Sequence, residues 1–169
     1  MESCSRSPFR FYWRMTMGAT DPKSLAVPEV NQECRDRIGK LNPDTAPLWG
    51  KMTAARMMAH CAEVMEVAGG KAIQGTPWFI KLLKPFIRKV VVGPKPFPQD
   101  TKTHPQYIQA GDKDFGAEQA RLLASLDAFT EKCAGQTRIN HPFFGEMTVG
   151  EAGWGMYKHL DHHLGQFGV

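Results

Sequence analysis

Apolar residues recur at helical spacing in four stretches of the chain, separated by turns and proline-rich segments. Val30, Cys34, Ile38 and Leu41 predict a helix over residues 30–41, stopped by Asn42-Pro43. Thr53 is placed to cap a second helix, which Gly69-Gly70 ends. Thr76-Pro77 reads as an N-cap followed by proline at the first helical position. Trp78, Phe79, Leu82, Leu83, Phe86 and Ile87 then make a shorter helix, kinked at Pro85. Residues 93–112 hold four prolines and read as a long irregular loop. Phe115, Leu122, Leu126 and Phe129 share one face of a third long helix over residues 115–133, closed by Gly135. After the ordered loop His141-Pro142-Phe143-Phe144-Gly145, Thr148 and Glu151 form a capping box for a last helix that ends near Phe167. No period-two alternation lasts long enough to build a sheet; Val90-Val91-Val92 is the one candidate and is discounted. The pattern predicts an all-α protein, a four-helix bundle.

Composition agrees with a single globular unit. Of 169 residues, 42% are hydrophobic and 22% charged, enough to build one core. The domain is expected over residues 23–169. Residues 1–22 mix Arg6, Arg10 and Arg14 with Phe9, Phe11, Tyr12 and Trp13, and are expected to be a disordered extension. The net charge of +4 is scattered, with no run of five like charges, which speaks against a nucleic-acid groove. Lys84, Arg88, Lys89, Lys95 and Lys102 read as solvated surface charge. No apolar stretch reaches the roughly 18 residues of a membrane span. The cysteines Cys4, Cys34, Cys61 and Cys133 form no CxxC pair, which excludes a zinc ribbon and fits reduced thiols in a cytoplasmic protein.

The histidines change the picture. On the last helix, with Leu160 at the centre of the buried stripe, His163 lies about 60° and His159 about 100° to the same side. His162 lies about 160° away and faces water. His159 and His163 are one turn apart, the spacing that lets two imidazoles share an ion. On the second helix, with Met57 at the centre, His60 lies about 60° off the apolar face. Three imidazoles would leave coordination positions open, as a catalytic ion requires. Packing histidines remain the alternative, because periodicity does not show that the two helices face each other. Glu63 points about 120° from the core centre and is not counted as a ligand. Cys61 reads as an inert buried thiol, His104 and His141 as surface loop histidines, and Trp49, Trp78, Trp154 and Tyr157 as packing residues.

Three segments in this order carry a family resemblance: Leu48-Trp49-Gly50-Lys51-Met52-Thr53 running on to Ala59-His60-Cys61, His141-Pro142-Phe143-Phe144-Gly145, and Tyr157-Lys158-His159-Leu160-Asp161-His162-His163-Leu164. Over residues 30–169 the chain resembles the DinB/YfiT-like family of metalloenzymes, in an uncharacterised branch. The resemblance implies a four-helix bundle of up-down-down-up order with a long cross-connection. It implies a divalent ion, zinc or nickel, on His60, His159 and His163. Similar proteins include thiol-dependent S-transferases and a mycothiol-dependent isomerase, so a low-molecular-weight thiol is an expected co-substrate. The expected activity is metal-dependent chemistry on a small molecule: S-transfer, isomerisation or hydrolysis. The alternative is a bundle that binds a metal or ligand without catalysis. The expected partners are a small-molecule substrate and, in a homodimer, a second copy; nucleic acid and membrane are not expected.

Overall fold

The computed structural model describes residues 23–169, so the expected extension over residues 1–22 lies outside the described residues. The described chain is mostly helical, with six α-helices and one short hairpin.

The first helix, α1 (Pro28–Ile38), starts two residues before the expected position because Pro28 occupies its first turn, where a missing N–H costs nothing. It ends three residues early. The amides of Lys40 and Leu41 turn back to Arg37 and Ile38, three residues away, which tightens the chain out of the α-helix. Leu41 still reaches the core.

Helix α2 (Ala54–Ala68) begins where the sequence places it. The Thr53 hydroxyl accepts the Arg56 amide at 3.3 Å. Only Arg56 and Glu66 of its fifteen residues escape burial, so α2 is the central helix rather than an amphipathic one. Its alanines keep the neighbours close, and Met57, Met58 and Met65 fill the gaps between them.

Helices α3 (Trp78–Leu82) and α4 (Lys84–Val92) meet at Leu83, itself right-handed helical. Pro85 has no N–H to return to the Lys81 carbonyl, and the helical bonds resume with the Ile87 amide on Leu83 at 2.9 Å. The expected kink is therefore present. The expected cap is not: Pro77 precedes the helix, and the Thr76 hydroxyl instead bonds His104 Nε2 at 3.0 Å. Val90 to Val92 are helical, as their discounting as a strand implied.

Helix α5 (Phe115–Cys133) matches its expected span and is capped by Asp114, whose carboxylate accepts the Ala117 amide at 2.7 Å. Helix α6 (Val149–Gln166) carries the capping box in full: the Glu151 amide donates to Thr148 Oγ1 at 3.1 Å, and the Thr148 amide to Glu151 Oε2 at 2.9 Å.

Between α5 and α6 the sequence reading needs correction. Residues expected to form only a loop make an antiparallel pair, β1 (Arg138–His141) with β2 (Gly145–Thr148), in register Ile139 opposite Met147 and His141 opposite Gly145. Each strand has four residues, too few for alternation to register as a pattern. The turn closes on Gly145, whose φ of 77° suits glycine, and on His141 Nδ1, which accepts the amides of Phe143 and Phe144.

Helix α2 packs chiefly along α5 and also against α6; α1 touches both α5 and α6. Leu25, Ile38, Met57, Met58, Leu122, Leu126, Phe129, Leu160 and Leu164 form the interior of this group. Helix α4 leans on α6 from outside, with no fully buried residue of its own. No helix among the described residues is long and apolar enough to cross a membrane.

Candidate metal centre

Packing of α2 against α6 brings together the three histidines that periodicity leaves on two separate helices. His60 comes from the middle of α2, His159 and His163 from consecutive turns of α6. Each offers one ligand atom, and the three atoms lie within 4.8 Å of one another. The nearest pair, His60 Nε2 and His159 Nε2, is 3.1 Å apart. Two nitrogens on one tetrahedral zinc, with bonds of about 2.0–2.1 Å, would be roughly 3.3 Å apart.

Hydrogen bonds from neighbouring groups fix which nitrogens face the cluster. The Tyr107 carbonyl can only accept, so His60 Nδ1, 2.8 Å away, carries a proton and leaves Nε2 bare. The same logic acts on His163 through Gln166. The Gln166 amide nitrogen donates to the Trp49 carbonyl at 2.9 Å, which turns Oε1 toward His163 Nδ1 at 3.0 Å. His163 Nδ1 must then donate, and its Nε2 is also bare. With His60 Nε2 bare, the 3.1 Å contact is made by a proton on His159 Nε2, which an entering ion would displace.

Burial keeps these imidazoles neutral, as ligands must be. Desolvation holds His60 below the usual histidine range and pushes His163 down to about 3, with the neighbouring His60 ring adding to the second shift. His159 lies well below its ordinary value, from desolvation and then from its two partners. His60 and His163 are buried while His159 stays partly exposed, so solvent reaches the cluster from the His159 side.

That side has a defined rim. Phe97 lies 6.4 Å from the His159 ring and 6.1 Å from that of His162. Lys158 holds this loop in place: its buried ammonium donates to the carbonyls of Val90, Gly93 and Lys95 at 2.7–3.2 Å and stands 4.4 Å from the Phe97 ring centre. His162 is not turned to water as expected. It is half-buried, edge-on to Trp49 at 4.9 Å, because the segment before α2 folds back over this end of α6.

The remaining candidates sit elsewhere. Glu63 is buried but turned from the cluster, with Arg121, Lys71 and Gln106 on its carboxylate. Cys61 donates its thiol to Met57 Sδ at 3.7 Å, and burial pushes its pKa up, as suits an inert thiol. His141 is buried in the hairpin turn rather than exposed in a loop, and His104 caps the short 3₁₀ turn Pro105–Tyr107. Tyr157 stacks on Trp154 at 6.0 Å and packs under Lys23. Sequence reasoning missed Gln166 and Tyr107. Gln166 carries a signal, since it follows His163 by three residues on the same face. Tyr107 acts through its backbone, which leaves no trace in residue type.

A helical protein with three inward-facing histidines able to hold a metal ion is the class that this fold and site define. The sequence matches the DinB superfamily over residues 36–167, a span that includes all three histidines, and the chain belongs to that superfamily. No curated protein and no solved structure gives a significant match.

Proposed function

We propose that the chain is a metal-dependent enzyme acting on a small molecule, with His60, His159 and His163 as the ligands of one divalent ion. The observation that carries this reading is the set of bare or displaceable Nε2 atoms, two of them fixed by neutral hydrogen-bond acceptors on the far side of the ring. Zinc or nickel suits an all-imidazole donor set. The ring of contacts joining α1, α5, α2 and α6 supports the four-helix bundle of up-down-down-up order that the family resemblance implies.

A bound ion would serve as a Lewis acid, lowering the pKa of a water or of a small thiol at its open side. The chain's own residues do the rest. Tyr107 and Gln166 hold two rings in the ligating tautomer, and burial keeps all three rings neutral. Phe97, held by Lys158, narrows the approach beside His159. Cys61 is engaged with Met57, so a reacting thiol would be that of a co-substrate rather than the protein's own. We read the reaction as thiol-dependent S-transfer or isomerisation, with hydrolysis as the other use of the same ion, in a cytoplasmic setting where Cys34, Cys61 and Cys133 stay reduced.

Elemental analysis of untagged protein beside His60→Ala and His163→Ala tests the site. The native chain is expected to hold close to one equivalent of zinc or nickel and each variant far less, with helical circular dichroism retained. Equal metal content in all three would overturn the assignment. Assay of the loaded protein against thiols paired with electrophiles, and against hydrolysable esters and amides, tests the activity. A full complement of metal with no turnover would leave a binding bundle instead of an enzyme.

A further inference from the structure

The helical stretch α3–α4 presents an apolar row to solvent. Trp78, Leu82, Phe86 and Val90 follow one another at steps of four, which places them along one side of a nearly continuous helix. They are 74%, 71%, 68% and 42% exposed, and Phe79 and Leu83 widen the row. Single exposed apolar residues are ordinary on a protein surface, but a contiguous strip of this kind marks a contact site.

Charge identifies what it contacts. From Val67 to Gln99 there is no acidic residue, while Lys71, Lys81, Lys84, Arg88, Lys89 and Lys95 are all basic. Arg88 pairs with Glu151 of α6; among the described residues, no carboxylate is within ion-pair reach of Lys81, Lys84 or Lys89. Lys81 and Lys84 also line a cleft of about 480 Å³, together with Thr76 and Phe143, beside the apolar row. A second copy docked on this face would set its cations against an equal set. An anionic surface would neutralise them.

We infer that α3–α4 lies in the surface of anionic phospholipid bilayers, with Trp78, Leu82 and Phe86 at the acyl boundary and Lys81 and Lys89, both exposed, among the phosphates. A basic helix with exposed Trp, Phe and Leu has the composition that such binding requires. The absence of a spanning helix among the described residues bears on crossing a bilayer and not on lying along it. This inference stands apart from the metal centre, since none of the three histidines belongs to the stretch.

Co-sedimentation of the full chain with vesicles provides the test. Binding is expected to phosphatidylcholine vesicles containing a third phosphatidylglycerol, to weaken with added salt, and to be lost on phosphatidylcholine alone. Lys81→Gln/Lys89→Gln should weaken partitioning by about 30-fold, from the known contribution of each basic residue near an anionic leaflet. Leu82→Ser/Phe86→Ser should weaken it by at least roughly 100-fold, from the apolar area no longer buried. Both pairs change solvent-exposed or cleft-lining side chains, and circular dichroism verifies that the fold is kept. No binding to the anionic vesicles at low salt, or undiminished binding by the Leu82→Ser/Phe86→Ser chain, would overturn the inference. So would a dimer in sedimentation equilibrium that this double variant abolishes, which would give the face to a second copy.

Discussion

Three of the four glycines in α6, Gly153, Gly155 and Gly165, face three different surroundings, and replacing each with alanine should give three different results. A helical glycine costs about 0.5–1 kcal/mol relative to alanine, so the propensity gain is similar at all three. At Gly165 an added Cβ would meet nothing within 4 Å. Gly165→Ala should therefore stabilise the protein by about 0.5–1 kcal/mol. At Gly155 the Cβ would stand 2.9 Å from Val91 Cγ1, the tip of a side chain on the loosely seated α4. A small shift of α4 relieves that contact at a cost close to the gain, and the net change should be within about 0.5 kcal/mol of zero. At Gly153 the Cβ would stand 2.0 Å from Ser24 Oγ, 3.2 Å from Ser24 Cβ and 3.3 Å from the Ala26 nitrogen. Rotating Ser24 removes only the first clash; the other two involve atoms fixed by the backbone. The Leu25 amide donates to the Gly153 carbonyl at 3.0 Å, and Leu25 is fully buried, so displacing this segment disturbs a hydrogen bond and the core together. Gly153→Ala should destabilise by about 1–3 kcal/mol net. Thermal unfolding would show this as roughly 2–4 °C per kcal/mol, upward for Gly165→Ala and downward for Gly153→Ala. A Gly153→Ala protein as stable as Gly165→Ala would refute the close approach of residues 24–26 to α6.

Further outcomes follow from buried polar groups. Gln166→Leu removes the acceptor that orients His163 and should lower metal affinity by about 10–100-fold, measured by competition with a chelator. Its helical content should persist, which separates it from a variant that merely unfolds. His141, 5% exposed, is pushed down to about 4 by burial and then by Lys132 and Lys84. Below an unfolded value of about 6.5 the unfolded chain gains a proton that the folded one refuses, so stability should fall from pH 6.5 to 4 by about 3 kcal/mol from this group. His141→Asn, which can still accept the Phe143 and Phe144 amides, should flatten urea-measured stability over that range by a comparable amount. An unchanged slope would sink the assignment.

Residues that act on their own chain neighbours were readable. Thr53, Thr148 with Glu151, and Pro85 set helix ends and a kink through bonds one turn long, and the structure places each where the spacing predicts. The i, i+4 pair His159 and His163 was readable for the same reason. Its meeting with His60 depends on which face of α2 meets α6, and α2 gives no guide because nearly all of it is buried. The hairpin was lost for the opposite reason: its strands are too short to show a period, and its turn is closed by His141, a residue type that suggests solvent. The loop over residues 93–108 supplies Phe97 and Tyr107 to the centre, yet what fixes it is Lys158 on a distant helix.

The two halves of the centre are far apart along the chain. His60 and His159 are separated by 99 positions, and α6 follows α2 along the chain with α3, α4, α5 and the hairpin between them. An ion bound only by the folded arrangement would stabilise it by mass action, about 4 kcal/mol at a thousand times its dissociation constant. Loading would therefore wait until α6 has been made. Until then the growing chain has His60 alone of the three ligands to offer, and capture of the ion would clasp the later-made helix to the earlier one.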